Sequence, residues 1–128
     1  MSERQNISSG GPMEAVAGYS RAVRVGDWVA VSGSTSLGPD GVVHPGDCYG
    51  QARYTLGIIE RALSEAGAQM TDVVRVRTFI TDMAFLDDFV RAHGEAFGDI
   101  RPASTLVEVS ALLHPDLVIE IEVDAIVL

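Results

Sequence analysis

The chain has 128 residues, of which 47% are hydrophobic, and a net charge of -9 from 18 acidic and 9 basic residues. That length suits one domain, the composition excludes intrinsic disorder, and no apolar run approaches the roughly 20 residues of a membrane helix. All nine basic residues are arginine, which excludes a catalytic Schiff-base lysine, and the acidic charge disfavours nucleic acid and anionic membranes as partners.

Cysteine and histidine are too few and too scattered to suggest a metal site. Cys48 is the single cysteine, which excludes an intramolecular disulfide and a Cys-x-x-Cys motif. His44, His93 and His114 lack the spacing of zinc ligands, so we expect no metal. Cys48 precedes a predicted helix and is either a small buried residue or, as a second hypothesis, a redox-sensitive thiol.

The first third of the chain contains one clear hairpin signal. Residues 1–13 are polar and rich in glycine and serine, so we predict a loosely held arm. This stretch lacks the apolar core of a signal peptide, and we therefore expect a cytoplasmic protein. Residues 19–25 and 28–33 are strand-like and flank a Gly-Asp turn at 26–27. The glycines and prolines of residues 34–46 predict a long loop.

Two amphipathic helices are predicted after this loop. The first begins at Asp47 as N-cap and ends at Gly67, with apolar residues at helical spacing between them. Gly57 lies in its middle, where glycine costs about 1 kcal/mol relative to alanine, and this suggests close packing. The second helix follows Asp82, and its apolar stripe consists of Phe85, Leu86, Phe89, Val90, His93 and Phe97. We expect the histidine of this stripe to be a core or interface residue with one hydrogen-bond partner.

Three further strands complete the pattern. Residues 73–81 predict one strand, with Val74, Val76, Thr78 and Ile80 on one side. Its other side is predicted to carry Val73, Arg75, Arg77 and Phe79. Residues 101–110 and 117–128 predict the last two strands, because the final stretch alternates apolar and polar residues.

The last strand presents carboxylates opposite its apolar face. The apolar face consists of Leu117, Ile119, Ile121, Val123 and Ala125. The opposite face carries Glu120, Glu122 and Asp124. These carboxylates are either solvated or paired with the two arginines of the preceding strand, or one of them, such as Glu120, occupies a pocket and transfers protons. Spacing does not decide between these alternatives.

The predicted element order is β-β-α-β-α-β-β, in one α+β domain over residues 1–128. Two amphipathic helices can cover one face of a mixed sheet. The other face must then meet solvent or another subunit. Because the charged strand residues lie outside the apolar register, we predict that this partly polar face lines an oligomer.

Several stretches of the chain are similar to the RidA/YjgF family of reactive intermediate deaminases, once labelled translation inhibitors or endoribonucleases. They are residues 18–23, 29–33, 51–53, 95–97, 101–109 and 118–122. The last two are the most specific, since their spacing and order also match. The resemblance implies a chorismate-mutase-like fold, a homotrimer with small-molecule clefts between subunits, and hydrolysis of 2-imino or 2-enamino acids without metal or organic cofactor.

The resemblance also implies roles for three residues. Tyr19 matches the family's pocket tyrosine, Ser32 its serine before glycine, and Glu120 its water-activating glutamate. Considered without the family, Tyr19 is an interface aromatic and Ser32 a hydroxyl that closes a strand end.

The chain departs from the family pattern at Ser104, where active deaminases have arginine, and at Leu106, where many members have cysteine. Serine donates one neutral hydrogen bond, whereas arginine offers a charged fork that suits a carboxylate. We therefore expect ordinary imino acids to bind weakly. Our hypothesis is that Arg91 or Arg101 supplies the anion contact; alternatively, both are surface arginines paired with carboxylates.

Two functions follow from these residues. The first is cofactor-free, hydrolytic deamination of imines, enamines or a related small substrate, with Glu120 as the catalytic residue. The second is binding of a small molecule in the same trimeric clefts without turnover, which Ser104 favours. A ribonuclease would need a basic groove, and the charge of -9 argues against one.

Overall fold

The computed structural model describes residues 3–128, which are built around a six-stranded sheet. The strands are β1 (Arg4–Ile7), β2 (Ala22–Val25), β3 (Trp28–Ser34), β4 (Leu37–Gly38), β5 (Gly41–Val42), β6 (Val73–Ile80), β7 (Ala103–Glu108) and β8 (Ile119–Ile126). The helices are α1 (Pro12–Ala17), α2 (Cys48–Glu65) and α3 (Leu86–Phe97).

The sheet is mixed, with strand order β1-β2-β3-β8-β6-β7. Strands β6 and β7 run parallel, and the other neighbouring pairs run antiparallel. Helices α2 and α3 pack against each other and cover one face, which confirms the predicted α+β class with two long helices on one side. We call the opposite side of the sheet the open face. It carries Ala30, Ser32, Arg75, Arg77, Glu120, Glu122 and Asp124.

Local signals for the first hairpin and for α2 are confirmed. Strands β2 and β3 pair across the turn at residues 26–27. At the start of α2, the Asp47 carboxylate accepts a hydrogen bond of 3.0 Å from the Gly50 N–H, which satisfies one unpaired donor of the helix end. After α2, Gly67 adopts a φ of 79°, and the N–H groups of Gly67 and Ala68 bond to carbonyls of the last turn.

The prediction of a loose arm at residues 1–13 is wrong for residues 4–7 and 12–13, and residues 1 and 2 lie outside the described part of the chain. Strand β1 pairs with β2 along its whole length, and α1 begins at Pro12. Three of the four β1 residues are exposed at the sheet edge, so the strand is as polar as a loop. Strands β4 and β5 likewise form a short ribbon within the predicted loop.

The predicted alternation of β6 is wrong at its first two residues. Val73 is buried and Val74 is exposed, the reverse of the prediction, whereas the rest of the strand alternates as predicted. The pairing of β6 with β8 shifts between Val73 and Arg75, which marks a β-bulge. A bulge adds one residue to one strand and so exchanges the two sides of the strand beyond it.

The predicted stripe of α3 is partly wrong. Leu86 and Val90 are exposed, at 43% and 56%. Ala92 is buried instead, and Ala96 packs against the core. The side of α3 that faces the sheet is therefore centred on Ala92 and Ala96. These small side chains allow the helix to approach the strands closely.

Close packing does not explain Gly57, because the residue is exposed and a Cβ built on it meets no atom within 4 Å. Gly57→Ala is therefore expected to raise the free energy of unfolding by about 1 kcal/mol, since alanine is the better helix former and restricts the unfolded chain. Urea denaturation measures this change. A lower midpoint for the variant would show that position 57 requires glycine for another reason.

Candidate functional site

Glu120 differs from the other two carboxylates of β8. The Arg77 guanidinium lies 3.4 Å from the Glu122 carboxylate and 3.2 Å from that of Asp124, which is the cross-strand pairing that the sequence left as one alternative. The other arginine of β6 donates to a threonine of β7 instead. Within residues 3–128, Glu120 forms no ion pair. Of the three β8 carboxylates, Glu122 and Asp124 are therefore paired with Arg77, whereas Glu120 is not.

A β-bulge in β3 lies against Glu120. The pairing of β3 with β8 shifts between Val31 and Ser34, so Ser32 and Gly33 form the irregular step. A Cβ on Gly33 would overlap Oε2 of Glu120 and would lie 3.1 Å from its Cδ. Bulges are frequent beside active sites, where they redirect a side chain. The glycine here leaves the space that the Glu120 carboxylate occupies.

The surroundings of Glu120 favour its protonated form. Burial raises the pKa of Glu120, repulsion from Glu122 adds to this rise, and attraction to Arg21 opposes it. A carboxyl group with a raised pKa holds a proton more readily than an ordinary one, which favours a role in proton transfer. Perturbed carboxyl groups of this kind are concentrated at functional sites.

Ser32 is part of this bulge, and Tyr19 is connected to it through Arg21. The Ser32 hydroxyl donates a hydrogen bond of 2.6 Å to the Ser20 carbonyl, so it closes the strand and offers a ligand only its lone pairs. Tyr19 follows α1 and is 43% exposed. Its ring centroid lies 5.8 Å from Cζ of Arg21. The exposed ring of Tyr19 therefore lies next to the positive charge of Arg21.

Arg21 is the residue of this region that the sequence analysis missed. Its Nη2 donates a hydrogen bond of 3.0 Å to the Gly33 carbonyl, and its charge acts on Glu120. One residue separates Arg21 from Tyr19, and this spacing places two side chains on the same side of an extended chain. We call Tyr19, Arg21, Ser32, Gly33 and Glu120 the Glu120 cluster.

Ser104 and Leu106 do not belong to the Glu120 cluster of the same chain. They lie on the edge strand β7 and pair in register with Val76 and Thr78, whose side chains are buried beneath the helices. Ser104 Oγ lies 3.0 Å from Nε2 of His93 in α3. Within one chain, therefore, Ser104 faces α3 whereas Glu120 lies on the open face.

His93 is a half-buried residue between two aromatic rings. Its ring centroid lies 5.1 Å from that of Phe89 and 5.0 Å from that of Phe97. Burial lowers the pKa of His93, so the ring is neutral at neutral pH. Ser104 is the single hydrogen-bond partner that was predicted for a core or interface histidine at position 93.

The two arginines proposed from the sequence as anion contacts also lie outside the Glu120 cluster. Cζ of Arg91 lies 4.0 Å from the ring centroid of Tyr49, and its Nε lies 3.8 Å from the Glu95 carboxylate. The hydrogen bond that Tyr49 donates lowers the pKa of Glu95, which keeps this carboxylate charged. Arg101 is exposed and follows α3 with a φ of 59°.

The hypothesis of a redox-sensitive thiol is wrong for Cys48. The side chain is 1% exposed. Burial raises the pKa of Cys48 to about 12, and the nearby Asp88 and Asp47 carboxylates add to the rise. Since the thiolate is the reactive form, the thiol is inert at neutral pH. Cys48 is the small buried residue of the other alternative.

The apolar cavity beneath α3 is too small for a metabolite. Its volume is about 10 Å³, and its lining includes Leu56, Val76, Phe89 and His93. One water molecule needs about this much space. Within residues 3–128, no three His, Cys, Asp or Glu side chains are grouped as metal ligands, and no helix is long and apolar enough to cross a membrane.

Comparisons with known proteins agree in both sequence and structure. Residues 11–127 match the family model described as endoribonuclease L-PSP. The crystal structure of a Mycobacterium tuberculosis member of the YjgF family is 45% identical with a TM-score of 0.90, over 98% of this chain and 100% of that one. The 3-aminoacrylate deaminase RutC of Acinetobacter baylyi is 36% identical over 83% of this chain and 84% of that protein. The 2-iminobutanoate/2-iminopropanoate deaminase of Escherichia coli is 34% identical over 88% of this chain and 89% of that protein.

Proposed function

Because the chain belongs to the endoribonuclease L-PSP family, known also as the RidA/YjgF family, we propose that it hydrolyses small imines or enamines to carbonyl compounds and ammonia. The observation that carries this proposal is Glu120, a carboxyl group with a raised pKa that rests against Gly33 and has no ion-pair partner among residues 3–128. The two deaminase relatives are named for acting on an aminoacrylate and on 2-imino acids, which supports this substrate class.

In the proposed reaction, Glu120 acts first as a base and then as an acid. It takes a proton from water while the water oxygen bonds to the carbon of a protonated imine. The resulting intermediate carries a hydroxyl and an amino group on one carbon, and Glu120 returns its proton to the amino nitrogen. The C–N bond then breaks, its electron pair leaves with ammonia, and loss of the hydroxyl proton forms the carbonyl. A single carboxyl group that accepts a proton and then donates it can serve both steps.

We propose further that the site is completed in a homotrimer, with clefts between subunits. Ser104 and Glu120 lie on opposite sides of the sheet in one chain, so a cleft that contains both residues needs two copies. The open face also exposes Val25 and Trp28, at 40% and 48%. Exposed apolar side chains of this size on a mixed polar face support burial against another subunit.

A coupled assay tests the deaminase proposal. An amino-acid oxidase generates imines, semicarbazide traps them, and the wild-type protein is expected to suppress semicarbazone formation. Glu120→Gln is expected to lower this activity about 10²- to 10⁴-fold, because an amide cannot accept the proton from water. Glu60→Gln, at an exposed position of α2, is the matched control and is expected to remain active.

The pH dependence of the same assay examines the role of Glu120 independently. Activity is expected to fall as the pH drops through the Glu120 pKa, because the protonated carboxyl cannot take a proton from water. Repulsion from Glu122 contributes to the raised pKa of Glu120. Glu122→Gln is therefore expected to shift the loss of activity at acidic pH to lower pH. If the pH of this loss does not change, a group other than Glu120 causes it.

Ligand binding without turnover is the second candidate function, and the neutral Ser104–His93 pair favours it. In this case the wild-type protein leaves semicarbazone formation unchanged with several amino acids. Suppression by the Ser104→Arg variant would then attribute the lost catalysis to one side chain, since arginine restores a charged contact for the substrate carboxylate. If neither protein is active, imine hydrolysis is excluded for this cleft.

A further inference from the structure

We propose that Arg21 binds the anionic group of the substrate, an assignment that rests on the proposed function in treating the Glu120 cluster as the ligand site. The compounds in the names of the deaminase relatives, 2-iminobutanoate, 2-iminopropanoate and 3-aminoacrylate, are all small carboxylates. Arginine suits such a group because its planar fork forms charged hydrogen bonds to carboxylate oxygens. Ser104 is neutral, so the positive charge must come from another residue.

Arg21 is fixed to the same bulge that Glu120 touches. Its backbone carbonyl accepts a hydrogen bond of 2.9 Å from the Ser32 N–H. Its Nη2 donates to the Gly33 carbonyl at 3.0 Å, and the Glu120 carboxylate lies against the Cα of Gly33. Guanidinium and carboxylate thus converge on one residue. A small substrate can therefore place its carboxylate at Arg21 and its imine carbon at Glu120.

The Arg21 guanidinium has hydrogen-bond donors to spare. It carries five N–H donors, one of which bonds to Gly33, and its Nε is buried without a partner. Within residues 3–128, it forms no ion pair. A buried donor without an acceptor destabilises the fold, and such a donor is satisfied when an anion binds. Tyr19, the exposed ring beside the guanidinium, is the side chain that would move to admit it.

Other arginines of the fold are already engaged. Arg77 bridges two carboxylates of β8. Arg24 donates to two backbone carbonyls, one of them that of Ala66 at the end of α2. Arg91 lies over Tyr49 and pairs with a carboxylate of its own helix. In the described part of the chain, Arg21 is therefore the positive charge that faces Glu120 without a carboxylate in direct contact.

A purely structural role for Arg21 is the competing explanation. Its charge also attracts Glu14, a buried carboxylate that accepts hydrogen bonds from Ser9. If Arg21 served only to balance Glu14 and Glu120, its replacement would lower stability without changing which ligands bind. The two explanations therefore differ in ligand selectivity, which is the quantity to measure.

Titration with 2-oxobutanoate, a carboxylate of the type that imine hydrolysis releases, tests the assignment by calorimetry or NMR on the full chain. Arg21→Gln is expected to weaken binding about 10- to 100-fold, as for the loss of one charged hydrogen-bonding group. Arg21→Lys is expected to weaken it less, because it keeps the charge and loses the fork. Arg61→Gln, at an exposed position of α2, is the matched control and should bind like the wild type.

The neutral analogue 2-butanone provides the selectivity readout. It lacks the carboxylate, so the wild type and Arg21→Gln are expected to bind it equally. Melting temperatures are measured first, and the lysine variant serves for the comparison if the glutamine variant unfolds. A structural role predicts a lower melting temperature for Arg21→Gln together with unchanged discrimination between the two compounds.

Three results would overturn the assignment. The wild type does not bind 2-oxobutanoate, or the Arg21→Gln variant binds it like the wild type. The third is that an additional variant, Arg91→Gln, loses this binding while Arg21→Gln keeps it. Failure of the deaminase proposal is distinguishable from these. A wild type that binds 2-oxobutanoate through Arg21 and hydrolyses no imine would support the assignment and contradict the proposed catalysis.

Discussion

Replacing Gln51 with leucine is expected to lower the free energy of unfolding by about 1–3 kcal/mol. The fully buried side chain makes three hydrogen bonds to the backbone. Its Nε2 donates to the carbonyls of His44 at 3.0 Å and Asp116 at 2.8 Å, and its Oε1 accepts the Val118 N–H at 2.9 Å. Leucine has a similar volume but leaves the Val118 N–H without its acceptor, whereas the His44 and Asp116 carbonyls keep bonds from the N–H groups of Asp47 and Gly46. Because Val118 leads into β8, the variant should also loosen the position of Glu120.

Urea denaturation measures this loss, with Thr55→Val as the matched control. Thr55 lies one turn further along α2, is also fully buried, and has a hydroxyl without a partner among the described residues. Valine keeps the shape and removes an unsatisfied polar group, so this variant is expected to match or exceed the stability of the wild type. Equal midpoints for Gln51→Leu and Thr55→Val would show that the three hydrogen bonds contribute no net stability.

Gly33→Ala is expected to reduce imine hydrolysis about 100-fold or more while the chain stays folded. The new Cβ would overlap Oε2 of Glu120 and lie 3.1 Å from its Cδ. Since this carboxylate is the end of a flexible side chain, it can swing away without forcing the strands apart. The φ of Gly33 lies outside the left-handed region, so alanine fits the backbone. The variant therefore removes the catalytic group from its place without removing it from the chain.

Two measurements separate displacement of Glu120 from general damage. Burial raises the pKa of Glu120 in the wild type, so its pKa, followed by NMR, is expected to fall toward the ordinary value once the carboxylate moves into solvent. Gly94→Ala in α3, where an added Cβ meets no atom within 4 Å, is the control that should remain active. Full activity and an unchanged Glu120 pKa in Gly33→Ala would mean that the carboxylate does not rest against the bulge.

Sequence predictions succeeded where neighbouring residues decide the structure. Asp47 caps α2, and Gly67 ends it, because both act on backbone groups within a few residues. The alternation of β8 correctly separated its buried residues from its carboxylates, since side chains of a strand point to opposite faces in turn. Pairing between the β6 arginines and the β8 carboxylates was one of the alternatives left open, and the structure shows it for Arg77 with Glu122 and Asp124.

Predictions from the sequence failed where distant residues decide. The exposed residues of β1 resemble a loop, and only pairing with β2 makes them a strand. Residues 73 and 74 are both valine, so the bulge between β6 and β8 left no local signal in the sequence. The roles of Tyr19, Ser32 and Glu120 in a ligand site remain predictions, because they came from the family resemblance.

By itself, the sequence determined the α+β class, the hairpin, the capped helix and a final strand with carboxylates on one face. It also determined that position 104 is neutral. Only the tertiary structure decided which carboxylate stays unpaired, because that depends on where Arg77 reaches across the sheet. The tertiary structure also decided that Arg21 lies beside Glu120, since both meet at a bulge formed by two strands that are far apart in the chain. Periodicity and capping are local properties, whereas register, bulges and the meeting of charges arise only when distant strands pair.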